Sequence, residues 1–316
     1  MTRALVLGAR GHIGHAVVHA LAQTSTAIAS ITCITRAVRH AARAELGEVS
    51  VDSDDPAALG RVIAGHDVVV DAAAPAPLLL RAPRHAVDNA RRRTFALVEA
   101  CAQNGARLAF VSSFTTKRAA LAGHPYFAVK REMESIVTAA LVDGAVAGSV
   151  LRPTTCLGPF DSRAGRASLV GAVVAGAPVV AMRHVVNVID VRDVATAVVA
   201  AAVDGRAPAC VDLAGHDVTA DDLVARIAAA AGVPARGVSM PAPLAVAGAG
   251  FLEAALGRVV DVPPALYALL VAASEPATPS DAQLALGAAP RPLADTVRDA
   301  VEWHRRGGAR SVSKTL

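Results

Sequence analysis

Three glycines near the start of the chain restrict its fold more than any other feature. Gly8, Gly11 and Gly14 are spaced three residues apart in LVLGARGHIGHAV, between an apolar run and a helix-like segment. Each glycine inside a helix costs about 1 kcal/mol relative to alanine, so this spacing needs another explanation. A strand that turns tightly into a helix provides it, because glycine allows the turn and the close approach of a pyrophosphate.

The first half of the chain alternates between strand-like and helix-like segments. Strands are predicted at residues 4–7, 30–35, 66–73, 107–113 and 147–151. Helices are predicted at residues 12–23, 54–64, 87–104 and 126–141. This alternation predicts an α/β fold with a doubly wound parallel sheet, in which ligands bind at the carboxyl ends of the strands.

The second half is less regular. Asp193 precedes the run VATAVVAAAV, so we expect it to cap a helix that begins at Val194. Residues 221–231 predict a helix that ends at Gly232. Residues 234–289 are rich in proline, glycine and alanine, and we expect them to form helices and loops of a smaller lobe.

Composition excludes several classes of protein. The four cysteines are far apart, which predicts neither a disulfide framework nor a metal site and fits a cytoplasmic location. The 31 basic and 27 acidic residues are scattered, without the basic and aromatic patches of nucleic-acid binders. No apolar run reaches the roughly 20 residues of a membrane span. We therefore expect neither a nucleic-acid partner nor a membrane.

The end of the second predicted strand bears on the choice of dinucleotide. It reads CITR, with Arg36 as its last residue, Arg39 following, and no carboxylate to accept hydrogen bonds from ribose hydroxyls. A guanidinium there suits a 2′-phosphate, and Arg10 could supply a second one. NADP(H) is therefore favoured, with NAD(H) as the alternative if these arginines are only surface charges. Asp52 could contact the adenine edge or cap the next helix.

A tyrosine and a lysine lie where acid–base chemistry is expected. Tyr126 and Lys130 are four residues apart, so they share one helix face. A neighbouring ammonium can lower the phenol pKa of about 10 by roughly 1–3 units, which suits proton transfer near neutral pH. Ser112 and Ser113 end the preceding strand, and a serine hydroxyl there can hold a substrate carbonyl.

With these segments in place, the chain resembles an extended short-chain dehydrogenase/reductase of the NAD-dependent epimerase/dehydratase family, close to its dihydroflavonol-reductase-like members. The matching segments, in family order, are GARGHIG, DVVVDAAAP, FVSS, YFAVK, LRPTTCLGPFD and NVIDVRDVATA. The resemblance implies a Rossmann domain with a smaller, mostly helical substrate lobe. The Rossmann domain would comprise residues 1–155 and 185–215, and the lobe residues 156–184 and 216–316.

The resemblance also implies roles for individual residues. Tyr126 would be the general acid/base, Lys130 its electrostatic helper, and Ser113 the hydroxyl that binds the carbonyl. The expected cofactor contacts are Gly8, Arg10, Gly11, His12, Ile13, Gly14, Arg36, Asp52, Ala72, Ala73, Lys130 and Pro153.

The chain departs from the family pattern after the two serines. FTTK, residues 114–117, replaces the usual Tyr-Gly, and the Asp-Glu pair of the dehydratases is absent. Three segments are expected to line the substrate pocket, namely residues 75–85, 114–124 and 156–183. His124, beside Tyr126, could touch the substrate.

We expect an NADPH-dependent carbonyl reductase that acts on a small molecule with a carbonyl or hydroxyl group. The alternative is a nucleotide-sugar epimerase that holds NAD(P) tightly, since the same three side chains would serve it. A non-enzymatic NAD(P)-binding sensor is the alternative of another class, although such proteins commonly lack the Tyr-Lys pair. The sequence leaves a homodimer open.

Overall fold

The structure is a computed structural model that describes only part of the chain. The described residues are 2–24, 28–35, 46–50, 55–73, 83–117, 125–163, 168–205, 207–241, 243–244, 247–248 and 274–308. The predictions made for Arg36, Arg39, Asp52 and His124 therefore lie outside the described residues.

The strands and helices are numbered in chain order. The strands are β1 (Thr2–Leu7), β2 (Ile28–Thr35), β3 (Leu46–Ser50), β4 (Val68–Asp71), β5 (Arg107–Val111), β6 (Gly148–Pro153), β7 (Thr155–Leu157), β8 (Val179–Met182), β9 (Val185–Asp190), β10 (Cys210–Leu213), β11 (His216–Thr219) and β12 (Gly237–Met240). The helices are α1 (His12–Gln23), α2 (Pro56–Ile63), α3 (Pro83–Asn104), α4 (Pro125–Val142), α5 (Leu169–Val174), α6 (Val191–Val203), α7 (Ala220–Ala231), α8 (Asp281–Ala285) and α9 (Leu293–Arg305).

A seven-stranded sheet forms the centre of the fold, in the order β10-β6-β5-β4-β1-β2-β3. Every pairing in it is parallel. The prediction of a doubly wound α/β fold is confirmed. The strand order reverses direction between β1 and β4, which makes their carboxyl ends the place where this class of fold binds ligands.

Helices cover both faces of the sheet, and alternate side chains of each strand pack on opposite sides. On β1, Ala4 and Val6 pack in the same apolar cluster as residues of α1 and α6. Leu5 and Leu7 pack in a second cluster with residues of α2, α3 and α4. Because both faces are dry, the polar groups of these strands gather at the strand ends.

The cap predicted for α6 is wrong. The helix begins at Val191, and Asp190 is its N-cap, with its carboxylate accepting a hydrogen bond from the Arg192 N–H at 2.8 Å. Val191 is the first residue of the helix and is fully buried. Asp193 lies in the first turn, where it accepts a hydrogen bond from the Arg291 N–H at 2.8 Å and pairs with that guanidinium.

The C-terminal part of the chain contains strands as well as helices. β7, β9 and β11 form one small sheet, and β8 pairs with β12 in another. β12 lies within residues 234–289, where only helices and loops were expected. The expectation missed it because a four-residue segment has too little sequence pattern to indicate a strand, and this one pairs with the distant β8. β10 joins the main sheet while β9 does not, and the predicted domain boundaries remain predictions.

Candidate active site

The glycine turn connects β1 to α1 and lies against the end of β4. Gly8 has a φ of +77°, a conformation that favours glycine. A Cβ placed on Gly8 would lie 2.7 Å from the nitrogen of Ala73 and 2.8 Å from the carbonyl carbon of Ala72. The two backbone segments therefore approach too closely for any side chain at residue 8.

The other two glycines keep the N-terminus of α1 close to the turn. A Cβ on Gly14 would lie 2.1 Å from the Gly8 carbonyl oxygen, and one on Gly11 would lie 3.2 Å from it. Gly11 is the N-cap of α1, and no side chain caps this helix end. The first-turn N–H groups thus fit a pyrophosphate group, which is what a dinucleotide cofactor presents.

The structure brings together several of the predicted cofactor residues. Gly8 and the Ala72-Ala73 pair are in close contact, and Arg10, His12 and Ile13 lie in the turn and the first turn of α1. Nε2 of His12 lies 3.0 Å from the carbonyl oxygen of Pro159. Pro153 ends β6 and pairs in register with Leu213 of β10, which places it at the carboxyl edge of the sheet.

The two serines after β5 have different surroundings. Ser112 is buried, and its hydroxyl donates to the carboxylate of Glu134 on α4. Ser113 is half-buried, and its Oγ lies 2.8 Å from Oγ1 of Thr115 in a short 3-10 helix, Phe114–Lys117. Ser112 is thus engaged in joining β5 to α4, while Ser113 stands at the edge of the sheet.

Lys130 connects α4 to the strand that carries these serines. Its Nζ donates a hydrogen bond to the carbonyl oxygen of Val111 at 3.3 Å, and its side chain is buried. The pKa of Lys130 is lowered to about 8. Burial is the largest cause, the charges of Asp71 and Glu134 oppose it, and that of Arg93 adds to it. At neutral pH the ammonium form therefore predominates.

Tyr126 lies one turn before Lys130 on α4 and is half-buried. Burial, followed by the nearby Cys156 thiol, raises the pKa of the Tyr126 phenol, and the charge of Arg163 lowers it. The net direction is opposite to the one expected from the Tyr-Lys pair alone. Desolvation of the phenolate outweighs the nearby positive charge, so the phenol keeps its proton at neutral pH.

The sequence analysis did not predict the hydrogen-bond network around Glu134. Its carboxylate accepts hydrogen bonds from Oγ1 of Thr116 and from Nε of Arg152 on β6, both at 2.7 Å. Tyr126, Lys130 and Glu134 follow one another at four-residue intervals on α4, and this spacing is a signal that could have indicated the shared face.

A buried ion pair below the glycine turn was also missed. Asp71, the last residue of β4, is completely buried, and its two carboxylate oxygens accept hydrogen bonds from Arg93 of α3 at 2.9 and 2.8 Å. The available signal was a lone carboxylate at the end of the apolar run VVVD.

A loop between β7 and α5 passes over the start of α1. Within it, Asp161 is buried and accepts two hydrogen bonds from the guanidinium of Arg163, at 2.8 and 2.9 Å. The indole N–H of Trp303 on α9 donates to the Asp161 carbonyl at 2.9 Å. The Phe160 ring lies between His15 of α1 and Trp303, with centroid distances of 4.9 and 5.3 Å.

The predicted substrate segments are described only in part. Residues 75–82, 118–124 and 164–167 lie outside the described residues. Among the helices that the structure does describe, none is long and apolar enough to cross a membrane.

Comparison with known proteins decides the family. A family model for the NAD-dependent epimerase/dehydratase family matches residues 4–213. The chain belongs to this family. It is therefore an NAD(P)-dependent enzyme of the short-chain dehydrogenase/reductase type. No curated protein sequence matches the chain.

Solved structures share the fold over nearly the whole length. The protein gox2253 is 21% identical, with a TM-score of 0.77, over 98% of this chain and 99% of that chain. A nucleoside-diphosphate-sugar epimerase from Pseudomonas aeruginosa is 23% identical, with a TM-score of 0.72 and the same coverage. A UDP-glucuronic acid 4-epimerase from Bacillus cereus, in complex with UDP-glucuronic acid and NAD, is 17% identical, with a TM-score of 0.72 over 96% of this chain and 99% of that chain.

The close approach of Gly8 to α1 predicts a severe effect of Gly14→Ala. The added Cβ would collide with the Gly8 carbonyl oxygen, so we expect a loss of roughly 1–3 kcal/mol of unfolding free energy and loss of NAD(P)H binding. Urea denaturation and a nucleotide fluorescence titration measure both. Gly60→Ala on α2 is the control, since no atom of the described residues beyond its own helix backbone lies within 4 Å of the added Cβ. This variant should gain up to about 1 kcal/mol. Unchanged binding in Gly14→Ala would contradict this assignment.

The histidines of α1 predict acid sensitivity. Burial, together with smaller effects of His19 and His12, lowers the pKa of His15 to about 4. In the unfolded chain the pKa is about 6.5, so between pH 6.5 and 4 the unfolded state binds more protons. Stability is therefore lost as the pH falls through this window.

Replacing His15 by phenylalanine tests this titration. His15→Phe preserves a ring against Phe160, and Nδ1 of His15 is buried with no hydrogen-bond partner in the described part of the chain. We expect the drop in melting temperature between pH 7 and 4.5 to become smaller. His85→Gln, on the exposed face of α3, should leave the drop unchanged. An equal drop in both variants would show that His15 does not titrate in this window.

Proposed function

We propose that the chain is an NAD(P)-dependent epimerase acting on a nucleotide sugar. The observation that carries the proposal is the placement of the Tyr126 and Lys130 pair on α4, with Lys130 bound to the end of the strand that precedes Ser113. The family match over residues 4–213 and the fold shared with nucleotide-sugar epimerases support epimerisation over simple reduction.

The proposed reaction divides into two proton transfers at one oxygen of the substrate. Tyr126 must first lose its own proton, against the effect of burial and with the help of the Lys130 ammonium. The phenolate then removes the hydroxyl proton while the carbon is oxidised, and it returns the proton after the sugar ring has turned its other face to the hydride donor. The nicotinamide cofactor, when bound, supplies the hydride acceptor and donor. Ser113 donates a hydrogen bond to the carbonyl oxygen formed between the two steps, and the Lys130 ammonium stabilises the phenolate.

A carbonyl reductase is the second candidate. Burial keeps the proton on the Tyr126 phenol, which favours a proton donor and thus reduction of a ketone or aldehyde. Ser113, Tyr126 and Lys130 would have the same roles. The difference is that a reductase releases the oxidised cofactor after each turnover, whereas an epimerase regenerates the cofactor within the site.

Cofactor preference, partners and location remain predictions within this proposal. The basic residue after β2 favours NADP(H), with NAD(H) as the alternative. We expect a small-molecule substrate with a carbonyl or hydroxyl group and a cytoplasmic enzyme, and we leave a homodimer open.

The nucleotide that co-purifies with the protein separates the two candidates. Stoichiometric NAD⁺ released on denaturation and identified by mass would support the epimerase and would show that Arg36 does not select NADP(H). An empty protein that binds NADPH much more tightly than NADH in a fluorescence titration would support the reductase. Nuclear magnetic resonance of nucleotide sugars and a panel of carbonyl compounds with NADPH then identify the reaction.

Removing either hydroxyl tests the mechanism. We expect Tyr126→Phe to lower kcat by about 10²–10⁴ and Ser113→Ala by about 10²–10³, with nucleotide affinity retained. Ser135→Ala is the control, because this serine is exposed on α4 and its hydroxyl donates to the Glu132 carbonyl of the same helix. Unchanged turnover in Tyr126→Phe would rule out both candidate mechanisms.

A further inference from the structure

The buried ion pair between Asp71 and Arg93 needs an explanation beyond stability. Its members are 0% and 7% exposed, and removing two charges from water costs about as much as their attraction returns. An apolar pair of similar volume would hold β4 and α3 together equally well. The position of the pair in the site is therefore informative.

On one side, the pair fixes the backbone that borders the glycine turn. An oxygen of Asp71 accepts a hydrogen bond from the Ala73 N–H at 3.0 Å. The Ala72 N–H donates to the Leu7 carbonyl at 3.0 Å. These two bonds define the turn against which Gly8 packs with no room for a Cβ. Because Arg93 holds both carboxylate oxygens, Asp71 cannot rotate away from Ala73.

On the other side, the pair lies beside Lys130. Asp71 is paired in register with Phe110 of β5, and the next residue, Val111, accepts the hydrogen bond from Lys130. The charged groups around this ammonium are Asp71 of β4, Arg93 of α3 and Glu134 of α4. Asp71 and Glu134 raise the pKa of Lys130 against the larger effect of burial, and Arg93 lowers it.

We propose that Asp71 and Arg93 are a positioning pair for the active site, holding the turn of residues 71–73 against the glycine turn and balancing the charge at Lys130. The role of the pair at Lys130 rests on the proposed function. Its role at the turn of residues 71–73 affects nucleotide binding and does not depend on the reaction.

Two single substitutions test the charge balance without any substrate. The pH dependence of trace acetylation of Lys130, followed by peptide mass spectrometry, gives its titration midpoint. We expect Asp71→Asn to lower this midpoint and Arg93→Gln to raise it, each by about one pH unit. A merely structural pair would shift both midpoints in the same direction or neither, and that result would overturn the proposal.

A conservative variant tests the role of the pair at the turn, and it keeps the proposal testable if Asp71→Asn or Arg93→Gln does not fold. Arg93→Lys keeps the positive charge but loses the bidentate hydrogen bonding to Asp71. We therefore expect an unchanged titration midpoint of Lys130 and about tenfold weaker binding of NADPH or NADH. Unchanged affinity would overturn the positioning of the turn. The double variant Arg3→Gln/Asp67→Asn is the matched control, since this exposed pair lies at the amino ends of β1 and β4.

The outcome separates this inference from the proposed function. If Tyr126→Phe retains turnover while the two midpoints still move in opposite directions, the proposed chemistry fails and the positioning pair stands. If turnover is lost in Tyr126→Phe and the midpoints do not move, the reverse holds.

Discussion

A parallel sheet covered by helices on both faces leaves few places for charged groups other than the ends of its strands. In this protein Asp71 ends β4, while Lys130 and Glu134 of α4 reach the carboxyl end of β5, where they contact Val111 and Ser112. Each charge is held by an opposite charge or by a backbone dipole, because an unpaired one would cost several kcal/mol. The dry environment that makes these groups expensive also makes their mutual effects strong.

Burial has a larger effect on the pKa values of the site than any single neighbouring charge. Tyr126 and Lys130 both lie in surroundings that disfavour their charged forms, so burial moves the pKa of the phenol up and that of the ammonium down. Because the two groups ordinarily have nearly the same pKa, these opposite shifts move the two values apart, and at neutral pH both groups keep their protons.

Local patterns predicted the parts of the structure that local physics determines. The glycine spacing marked the turn from β1 to α1, since steric contact at Gly8 and Gly14 depends on the backbone alone. Ser113 and the four-residue spacing in α4 indicate the candidate site, because both can be read from neighbouring residues. Arg36 and Asp52 belong to segments that the structure does not describe.

The missed features depend on partners distant in sequence. Asp71 meets Arg93 across 22 residues, and Asp190 rather than Asp193 caps α6 because Arg291 engages Asp193. The carboxylate at the end of VVVD is a local signal for Asp71, but no local pattern identifies Arg93 as its partner or favours Asp190 over Asp193 as the cap. β12 is likewise a strand only because β8 is there to pair with it.

The contact between Phe160 and Trp303 has a consequence for how the chain can be divided. Trp303 lies on α9, some ninety positions beyond the end of the family match at residue 213, yet it packs on a loop inside that match. A fragment cut at residue 213 would leave Phe160 and the buried Asp161 open to water. When segments are exchanged with a relative to make a chimaera, α9 and the loop that it covers should therefore be taken from the same parent.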